Sequence, residues 1–481
     1  MRVVVYKSLW LVVITLGLLL SACGGGVTPT PTDPDATVSG VEITGVPSPA
    51  QVQIGANVDL NATVSGSSGV SQDVTWKSSN NDLATVDTDG VVTGVSAGSV
   101  SITATSDADA SKSDTETLTV IAASASCSGA VALEGPIAVD TVLPLGCHLV
   151  EDVINIDAQL TVIAGATLVF ATDAGLSIRA EGAIVANGTA AAPITFTSAA
   201  GTPAAGDWKG IFINSNSNAN SLTNVTVSYA SGENYCCGQA DEANVYVNNG
   251  GRLTIADSTL SNAQDYGFYA EDGATIKVDN ITYSNNADGD MSVASNQLGS
   301  IDQTTASTYA GVAEARASVV ADNQTWKASI PYRFTDVTDF RNTTASADVT
   351  IEAGATLKFA TDAGISVEEG GSIKADSVTF TSSSSGPAAG DWRGIFITSN
   401  SNNNVLTNVT VSYGGGANYC CGQADEANVY VDRGGRLTLT GSTLSNSEDY
   451  GVYVEADATV NADICTANTY TANTQGECLI N

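Results

Sequence analysis

The feature that most constrains the fold of this chain is an internal duplication. Residues 206–274 align with residues 390–458 at a constant offset of 184, with 18 differences in 69 positions, so 51 positions are identical. Upstream, residues 165–175 recur with one difference at residues 354–364, at an offset of 189. The first copy therefore holds five more residues between its matching blocks. Two similar segments that follow each other in one chain indicate a repeat architecture.

Within each copy, strand-like segments recur about every 23 residues. Apolar and polar residues alternate in segments such as residues 225–227, 253–255 and 275–278, and Gly, Asn and Asp residues separate them. One coil of this length cannot bury its inner face alone, whereas stacked coils share a continuous core. The pattern predicts an all-β chain in which residues 127–300 form one copy of a parallel β-helix and residues 301–481 form a second.

Three short segments of the two copies resemble a known type of repeat. Residues 165–168 (Gly-Ala-Thr-Leu), 206–211 (Gly-Asp-Trp-Lys-Gly-Ile) and 390–395 (Gly-Asp-Trp-Arg-Gly-Ile) are similar to the right-handed parallel β-helix repeats of many secreted bacterial proteins. The resemblance implies the fold of pectate-lyase-like solenoids, a group with mixed functions. It also implies that Trp208 and Trp392 lie within the coil framework, so we expect both indole rings to pack in the core or at its edge.

Residues 38–122 predict a separate β-sandwich, because short alternating strands follow one another with turn residues between them. Residues 74–80, 84–87 and 89–95 resemble the group 2 bacterial immunoglobulin-like domain. In that family the domain usually serves as a spacer or as part of an adhesive surface protein. The resemblance implies that Trp76 packs in the core of the sandwich.

Residues 1–22 have the layout of a secretory signal peptide, in which Arg2 and Lys7 precede an apolar run that ends in small residues. The sequence Leu-Ser-Ala-Cys-Gly at the end of this segment resembles the lipobox of bacterial lipoproteins. The resemblance implies that Cys23 carries acyl chains, which attach the protein to a membrane. The alternative is a signal peptide cleaved near Ala22, with an incidental cysteine after it.

The segment after this cysteine, residues 23–37, is rich in Gly, Thr and Pro and predicts a flexible, partly extended tether. Gly24 is not the aspartate that, in the family, retains lipoproteins in the inner membrane. We therefore expect an outer-membrane lipoprotein that is exposed at the cell surface.

Eight further cysteines, an even number in an exported chain, predict disulfides, although the connectivity stays open. They comprise two local pairs that bracket the ends of the β-helix and two adjacent pairs, namely Cys127 with Cys147, Cys465 with Cys478, Cys236 with Cys237, and Cys420 with Cys421. If the copies stack coaxially, the adjacent pairs lie about eight coils, or about 38 Å, apart. Because a disulfide cannot span that distance, a vicinal disulfide within each adjacent pair is the simplest expectation.

Each adjacent cysteine pair lies in an insertion. The spacing between strand-like segments rises from about 23 to 33 residues across residues 230–244, and residues 234–247 are identical to residues 418–431. One hypothesis is a structural clamp and nothing more. The other is a ligand-binding loop, in which a tyrosine and the flat disulfide stack on a sugar while amides and carboxylates form hydrogen bonds. The predicted ligand residues are Tyr235, Gln239, Asp241, Glu242 and Asn244, repeated as Tyr419, Gln423, Asp425, Glu426 and Asn428.

The same oxygen atoms support a third hypothesis, a Ca²⁺ site, because this hard cation takes carboxylate and amide oxygens. The two carboxylates of each loop do not have the spacing of an EF-hand. No other cofactor is expected.

The charge of the chain excludes nucleic acid as a partner. It has 17 basic and 51 acidic residues, which give a formal charge of −34. A phosphate backbone needs a basic footprint, which this composition does not supply. Anionic polyuronates are also repelled unless a cation such as Ca²⁺ bridges the two charges.

Catalytic candidates are few. His148 is the only histidine, and the chain has neither a Gly-His-Gly nor an Asp-Asp sequence like those of β-helix hydrolases. The basic residues that a lyase requires, such as Arg179, Lys209, Arg252 and Arg393, are scattered along the sequence. We therefore predict a non-catalytic protein that binds a glycan or a surface protein. A polysaccharide lyase or hydrolase is the rival, and a surface-layer or filament component is the second alternative.

Overall fold

The computed structural model of the protein describes residues 37–47, 50–53, 57–96, 98–121, 130–232, 235, 242–302, 311–419 and 426–481. The chain divides into two compact units, Met1–Ala123 and Ser124–Asn481. Both are built from β-strands, and the one 3₁₀ helix within the described ranges is Ser295–Ser300. The predicted all-β fold class is thus confirmed. Within the same ranges, no helix has the length and apolar character that crossing a membrane requires. The predicted signal peptide and residues 23–36 of the tether lie outside the described residues.

The first unit is a small arrangement of mostly antiparallel sheets. Its four-stranded sheet contains, in the described residues, Gln51–Gln53, Ser113–Ile121, Gly98–Ser106 and Val74–Ser78. A three-stranded sheet contains Asn57–Asp59, Val91–Gly94 and Ala84–Val86. Val38–Thr44 pairs with Asn61–Gly66. These strands form the predicted sandwich.

The strands of the first unit bury one face each. In Gly98–Ser106, alternate residues from Val100 to Ala104 are buried, as the pleat of a half-buried strand requires. Trp76 is half-buried and packs against this core. Gly90 has φ of +87°, and a Cβ there would lie 3.0 Å from the ring of Trp76 and 2.5 Å from a backbone oxygen. The turn before Val91–Gly94 therefore requires glycine.

The second unit is a solenoid of parallel strands. In its first half, each coil passes through sheets A, B and C in that order. Sheet A contains Val131–Ala132, Cys147–Val150, Thr167–Phe170, Ile194–Ser198, Val225–Ser228, Thr259–Ser261 and Thr282–Ser284. Sheet C contains Thr141–Leu143, Gln159–Val162, Ala183–Asn187, Ser221–Thr223, Arg252–Ala256, Thr275–Asp279 and Ile301–Asp302.

Sheet B is the longest sheet of the described residues and runs through both copies. It contains Val153–Ile156, Gly175–Ile178, Ile211–Ile213, Ala243–Val247, Tyr266–Ala270, Gly289–Ala294, Ala313–Arg316, Tyr332–Phe334, Thr356–Phe359, Thr379–Ser382, Thr410–Ser412, Thr443–Ser445 and Thr469–Thr471. In the second half, each coil passes from sheet B to sheets D and E. Sheet D contains Val319–Val320, Val337–Phe340, Gly364–Val367, Ile395–Ile397, Ala427–Val431, Tyr450–Val454 and Gly476–Ile480. Sheet E contains Gln324–Trp326, Ala347–Ile351, Gly371–Asp376, Val405–Thr407, Arg436–Thr440 and Thr459–Val460.

The inward side chains of the solenoid form one continuous core. In sheet A, Leu168, Phe196 and Val227 occupy the same register position on successive strands and are fully buried. Each coil thus covers the apolar face of the next, which no single coil achieves alone.

The two tryptophans of the Gly-Asp-Trp segments are fully buried. The ring of Trp208 stacks on Phe170 with 3.9 Å between centroids, and that of Trp392 stacks on Phe359 at 4.2 Å. Each indole Nε1 donates a 2.8 Å hydrogen bond to a backbone oxygen, so its polar atom is satisfied. The prediction of core packing for both residues is confirmed.

Asn and Asp residues make the sharp corners between sheets C and A. Asn224, Asp257 and Asn280 have φ of 48°, 49° and 56°, a left-handed conformation that Asn and Asp tolerate better than other side chains. Asn280 Nδ2 also donates a 2.6 Å hydrogen bond to Asp257 Oδ1 on the preceding coil. These short turns keep successive strands in register.

The second copy is rotated by one sheet relative to the first. Val225–Ser228 of sheet A corresponds, at the offset of 184, to a segment whose strand Thr410–Ser412 lies in sheet B. Ala243–Val247 of sheet B corresponds to Ala427–Val431 of sheet D. The duplicated sequences thus fold alike but on different sides of the solenoid.

The rotation occurs where the two copies meet. After Ile301–Asp302 of sheet C, the next described strand is Ala313–Arg316, which pairs with Gly289–Ala294 in sheet B. It does not extend sheet A, whose last described strand is Thr282–Ser284. The second copy therefore begins its cycle one sheet later than the first.

The duplicated insertions consequently lie at opposite edges of sheet B. The first leads into Ala243–Val247, and the second follows Thr410–Ser412. These two strands are seven steps apart in the order of sheet B, or about 34 Å along the axis. This separation of the flanking strands is close to the predicted eight coils, or about 38 Å, whereas the cysteine pairs themselves lie outside the described residues.

Candidate functional site

The structure describes about half of the residues predicted to form sites. The described ones are Cys147, Tyr235, Glu242, Asn244, Tyr419, Glu426, Asn428, Cys465 and Cys478. The others lie outside the described residues: Cys23, Cys127, Cys236, Cys237, Gln239, Asp241, Cys420, Cys421, Gln423 and Asp425. The roles predicted for this second group remain predictions, and the described residues show how the base of each loop is built.

Tyr235 and Tyr419 anchor one end of each insertion. The hydroxyl of Tyr235 donates to the carbonyl oxygen of Gly210, and that of Tyr419 donates to Gly394 at 2.6 Å. Their rings stack on neighbouring phenylalanines, with 5.2 Å and 5.0 Å between centroids. Burial raises the pKa of both tyrosines well above the ordinary value. This geometry corrects their predicted role, because a ring engaged on its face and at its hydroxyl is not an open platform for a sugar.

Each tyrosine sits on a glycine of an earlier coil. A Cβ at Gly175 would lie 1.9 Å from the hydroxyl oxygen of Tyr235, and one at Gly364 would lie 1.9 Å from that of Tyr419. No side chain fits at that separation, so the glycine provides the space that the tyrosine fills. The two glycines are equivalent positions of the duplication. The docking of the tyrosine is therefore built into both copies.

Asn244 and Asn428 anchor the other end of each insertion and are fully buried. Asn244 Oδ1 accepts a 3.0 Å hydrogen bond from the backbone N–H of residue 230, and Nδ2 donates at 3.0 Å to the carbonyl of Ser261. Asn428 forms the same pair of bonds, at 2.8 Å and 3.0 Å. Their predicted role as ligand residues is therefore corrected: the amide closes the base of the loop and is not presented to a ligand.

Glu242 and Glu426 precede the strands that follow the insertions. Their carbonyl oxygens accept 3.1 Å hydrogen bonds from the N–H groups of Tyr266 and Tyr450. Both residues are half-buried. Their ligand-binding role stays a prediction.

An outward ladder of aromatic rings lies beside each insertion. In sheet B, Phe212, Tyr246 and Tyr269 occupy one register position on successive strands, with 5.5 Å and 5.0 Å between ring centroids. Phe396, Tyr430 and Tyr453 repeat it in sheet D, at 5.6 Å and 4.9 Å. All six side chains are at most 6% exposed, so both faces of these strands are covered. In the sequence, the three aromatic residues recur at the offset of 184, and this recurrence is the signal that indicates the ladders. The alternation of apolar and polar residues along the strands does not reveal them.

The hydroxyls of the ladder bind acidic side chains. Tyr246 donates to Glu271 and Tyr430 donates to Glu455, the latter at 2.7 Å. Burial and the adjacent carboxylate raise the pKa of both tyrosines above the ordinary value. The guanidinium of Arg316 lies 4.0 Å above the ring of Tyr269 and ends the first ladder with a cation–π contact. The ladder is thus a structural support for the loop, and burial disfavours the deprotonation of Tyr246 and Tyr430.

Among the described residues, no group of three or more His, Cys, Asp and Glu side chains has the arrangement of a metal site. A Ca²⁺ site in the insertions requires oxygens outside the described residues and stays a prediction. His148 is buried, with Nε2 2.9 Å from the carbonyl oxygen of Pro144. Its ring is therefore part of the framework of the first coils.

The two local cysteine pairs lie at the ends of the solenoid. Cys465 and Cys478 form a disulfide, with 5.5 Å between their Cα atoms. Cys147 is also disulfide-bonded, and its predicted partner Cys127 lies outside the described residues. Such bonds fasten the terminal coils, which have a neighbour on one side only.

The fold defines a class: an immunoglobulin-like unit followed by a long parallel β-helix with a duplicated, tyrosine-anchored insertion. Family models match a segment of each of its two units. Residues 38–119 match the bacterial Ig-like domain (group 2), and residues 149–247 match the pectate-lyase like beta helix domain. Both resemblances expected from the sequence are confirmed. A search of curated proteins finds no match.

Proposed function

We propose that this protein is a lipid-anchored protein of the cell surface, and that its β-helix is a non-catalytic scaffold for adhesion or glycan binding through the two insertions. The observation that carries the proposal is the identical anchoring of both insertions. In each copy, a docked tyrosine holds one end and a fully buried asparagine holds the other. The same segment is thus supported in the same way at two places on the solenoid.

Such anchoring favours binding for an energetic reason. A segment whose ends are fixed by buried hydrogen bonds loses less conformational entropy when it binds than a free loop does. Two insertions on one rigid solenoid also add avidity, provided that one surface can reach both. Their positions at opposite edges of sheet B suit a ligand that is itself an extended surface, such as a glycan layer, better than one small molecule.

The charge of the chain narrows the ligand class. A formal charge of −34 repels anionic polymers, so neutral glycans are the favoured ligands. The immunoglobulin-like unit fits a spacer between a membrane anchor and the solenoid. The lipid anchor at Cys23 and the outer-membrane location belong to this proposal and rest on the lipobox-like sequence.

Glycan-array binding by the full chain tests the ligand class. A double variant, Gln239→Ala with Gln423→Ala, and a second, Glu242→Gln with Glu426→Gln, should each weaken binding at least tenfold, because each removes polar contacts from both insertions. Glu181→Gln, at an exposed turn outside the insertions, is the matched control and should bind like the wild type. Binding that both double variants retain would refute the assignment to the insertions.

The anchor and the location need their own measurements. Radiolabelled palmitate should enter the wild type and not Cys23→Ala, and only the wild type should remain with the membrane fraction. Protease treatment of intact cells should release the solenoid if it faces outward. A labelled Cys23→Ala variant, or protection of the solenoid in intact cells, contradicts the respective part of the proposal.

A second candidate function, a polysaccharide lyase, has one specific observation in its favour. Glu314, Arg333 and Lys358 occupy one outward register position on successive strands of sheet B, so basic residues that are scattered in the sequence come together in the fold. Arg333 forms a 2.5 Å ion pair with Glu314, which offsets part of its charge. Release of unsaturated products from polygalacturonate, with Ca²⁺ present, and its loss in Lys358→Ala would favour the lyase over the adhesin.

A further inference from the structure

A polar groove lies at the corner where sheet C passes into sheet A. This corner differs from the one that bears the first insertion, which joins sheet A to sheet B. The groove has a volume of about 590 Å³, within the range of ligand pockets. Its lining consists of backbone turns and short polar side chains: Gly188, Thr189, Ala190, Asn224, Asp257, Ser258, Thr259, Asn280 and Thr282.

Two parallel ladders form its floor. One is the left-handed turn ladder of Asn224, Asp257 and Asn280, which supplies carboxamide and carboxylate groups. The other consists of threonines at one register position of sheet A, of which Thr259 and Thr282 line the groove. Their hydroxyls point outward, because the next residue on each strand points into the core. The floor therefore repeats the same polar groups with each coil, about every 4.8 Å.

The end of the groove is closed by residues that only the first copy has. Between Ala183–Asn187 and Ile194–Ser198, the chain makes a turn in which Thr189 and Ala192 exchange backbone hydrogen bonds of 3.1 Å and 3.0 Å. In the second copy only Ser377, with φ of 57°, and Val378 lie between the equivalent strands Gly371–Asp376 and Thr379–Ser382. The five extra residues of the first copy thus form the wall of the groove.

The floor also differs between the copies. Asp257 corresponds to Gly441 at the offset of 184, whereas Thr259 corresponds to Thr443. The second copy keeps the threonine ladder but has neither the wall nor a carboxylate at the position of Asp257, and the carboxylate at its equivalent corner is that of Asp376, which accepts a 3.1 Å hydrogen bond from Asn408. Because the threonines serve both copies as strand formers, the wall and Asp257 are the features that make the first copy distinct.

We propose that this groove binds a linear, neutral polysaccharide that lies parallel to the axis of the solenoid. From Asn224 to Asn280 the floor spans two coil steps, about 10 Å, which is room for about two sugar rings. Hydroxyl, carboxamide and carboxylate groups at a regular spacing match a chain that presents hydroxyls at a regular spacing. The carboxylate of Asp257 and the net charge disfavour an anionic chain. The inference rests on the proposed glycan-binding function and assigns it a second place, separate from the insertions.

Calorimetric titration of the full chain with cellohexaose, chitohexaose, xylohexaose, laminarihexaose and hexagalacturonate tests the proposal. At least one of the neutral hexasaccharides should bind. Thr259→Val with Thr282→Val should weaken that binding about tenfold, because two hydroxyl contacts are lost while the strand-forming shape is kept. Asp257→Gly, which introduces the residue of the second copy, should also weaken it. Thr443→Val with Thr469→Val, in the equivalent ladder of the copy that lacks the five-residue wall and Asp257, is the matched control and should leave the affinity unchanged.

Each result decides a different point. If the groove variants still bind and the insertion variants do not, the assignment of binding to the groove is refuted, whereas the proposed function is supported. If the groove variants and the control lose affinity equally, the assignment of binding to the groove is refuted, because the effect is then not local to the groove. Binding of hexagalacturonate as tight as that of the neutral sugars overturns the charge preference. The absence of binding to every hexasaccharide overturns the groove and counts against a glycan ligand as such.

Discussion

Replacing Gly175 by alanine tests the docking of Tyr235 directly. The new Cβ would lie 1.9 Å from the hydroxyl oxygen and 2.8 Å from the adjoining ring carbon, so the ring must move and its bond to the carbonyl of Gly210 must break. Overpacking of this kind costs about 1–3 kcal/mol. The carbonyl of Gly210 still accepts a 3.2 Å hydrogen bond from the N–H of Leu176, so the lost hydroxyl bond costs only about 1 kcal/mol more. We therefore expect Gly175→Ala to destabilise the solenoid by about 2–4 kcal/mol.

The assay is a double-mutant cycle with Tyr235→Phe, which removes the hydroxyl from the contact. The single Tyr235→Phe change should cost about 1 kcal/mol, and the double variant should be more stable than the sum of both changes by about 1–2 kcal/mol. Equilibrium urea unfolding gives the free energies, and hydrogen exchange in Ile211–Ile213 reports the local effect. Gly201→Ala, where a Cβ meets nothing within 4 Å, is the matched control and should be close to neutral. A neutral Gly175→Ala variant, or additive effects in the cycle, would refute the docking.

Three further predictions concern other parts of the framework. Asn244→Ala should cost about 2–4 kcal/mol in urea unfolding, because it removes two buried hydrogen bonds and leaves the buried N–H of Ala230 without this partner, whereas the carbonyl of Ser261 keeps the N–H of Tyr229 at 3.2 Å. Asn248→Ala, at a half-exposed turn, should cost under about 1 kcal/mol. Equal costs would contradict the buried role. Cys465→Ser should open the loop that the disulfide closes, which has a sequence separation of 13, and lower the stability of the terminal coil by about 2–3 kcal/mol. Protease should then cut the terminal coil, and an unchanged digestion pattern would disprove the prediction. Burial raises the pKa of Tyr470 to about 12, and the pKa values of Tyr246 and Tyr430 are also raised. The unfolded chain loses these protons near pH 10. The contribution of these tyrosines to the free energy of unfolding should therefore be constant below that pH and should fall as the pH rises toward 12. A flat stability profile between pH 10 and 12 would count against the buried tyrosines.

The sequence carries the information for the repeat and its core. The offset of 184 and the period of about 23 residues predict stacked coils, and the resemblance of the Gly-Asp-Trp segment to β-helix repeats implies the burial of Trp208. These features are local or strictly repeated, so the residues reveal them without coordinates. The proximity of Cys465 and Cys478 in the chain makes them a plausible pair, although the sequence alone leaves the connectivity of the cysteines open.

The docking of Tyr235 is not visible in the sequence for a physical reason. Its partner is Gly175, which has no side chain and lies sixty positions earlier. A tyrosine beside adjacent cysteines in a Gly- and Asn-rich segment has the composition of an exposed loop. The burial of Asn244 is also not visible, because a polar residue at the start of a strand is typical of a turn. Its burial depends on two backbone groups, the N–H of Ala230 before the insertion and the carbonyl of Ser261 on the next coil.

The rotation of the second copy is also not visible in the sequence. The offset of 184 gives a number of residues and does not show which sheet a strand joins. The sequence after Ile301–Asp302 does not show whether the next strand extends sheet A or sheet B. The polar groove is likewise not visible in the sequence. Its wall comes from five residues that look like a neutral insertion until the coils around Asn224 and Asp257 are assembled beside it.

The stacking of both copies on one continuous sheet B is tested most directly by a cysteine cross-link at their junction. Ser292 and Glu314 are register partners on adjacent parallel strands, so Ser292→Cys with Glu314→Cys should form a disulfide that mass spectrometry detects in the oxidised chain. If the second copy instead continued from sheet A, Glu314→Cys would pair with Ser284→Cys, at the end of the last described strand of that sheet. A cross-link in the first variant and not in the second is the predicted result, and the reverse would contradict the rotated solenoid.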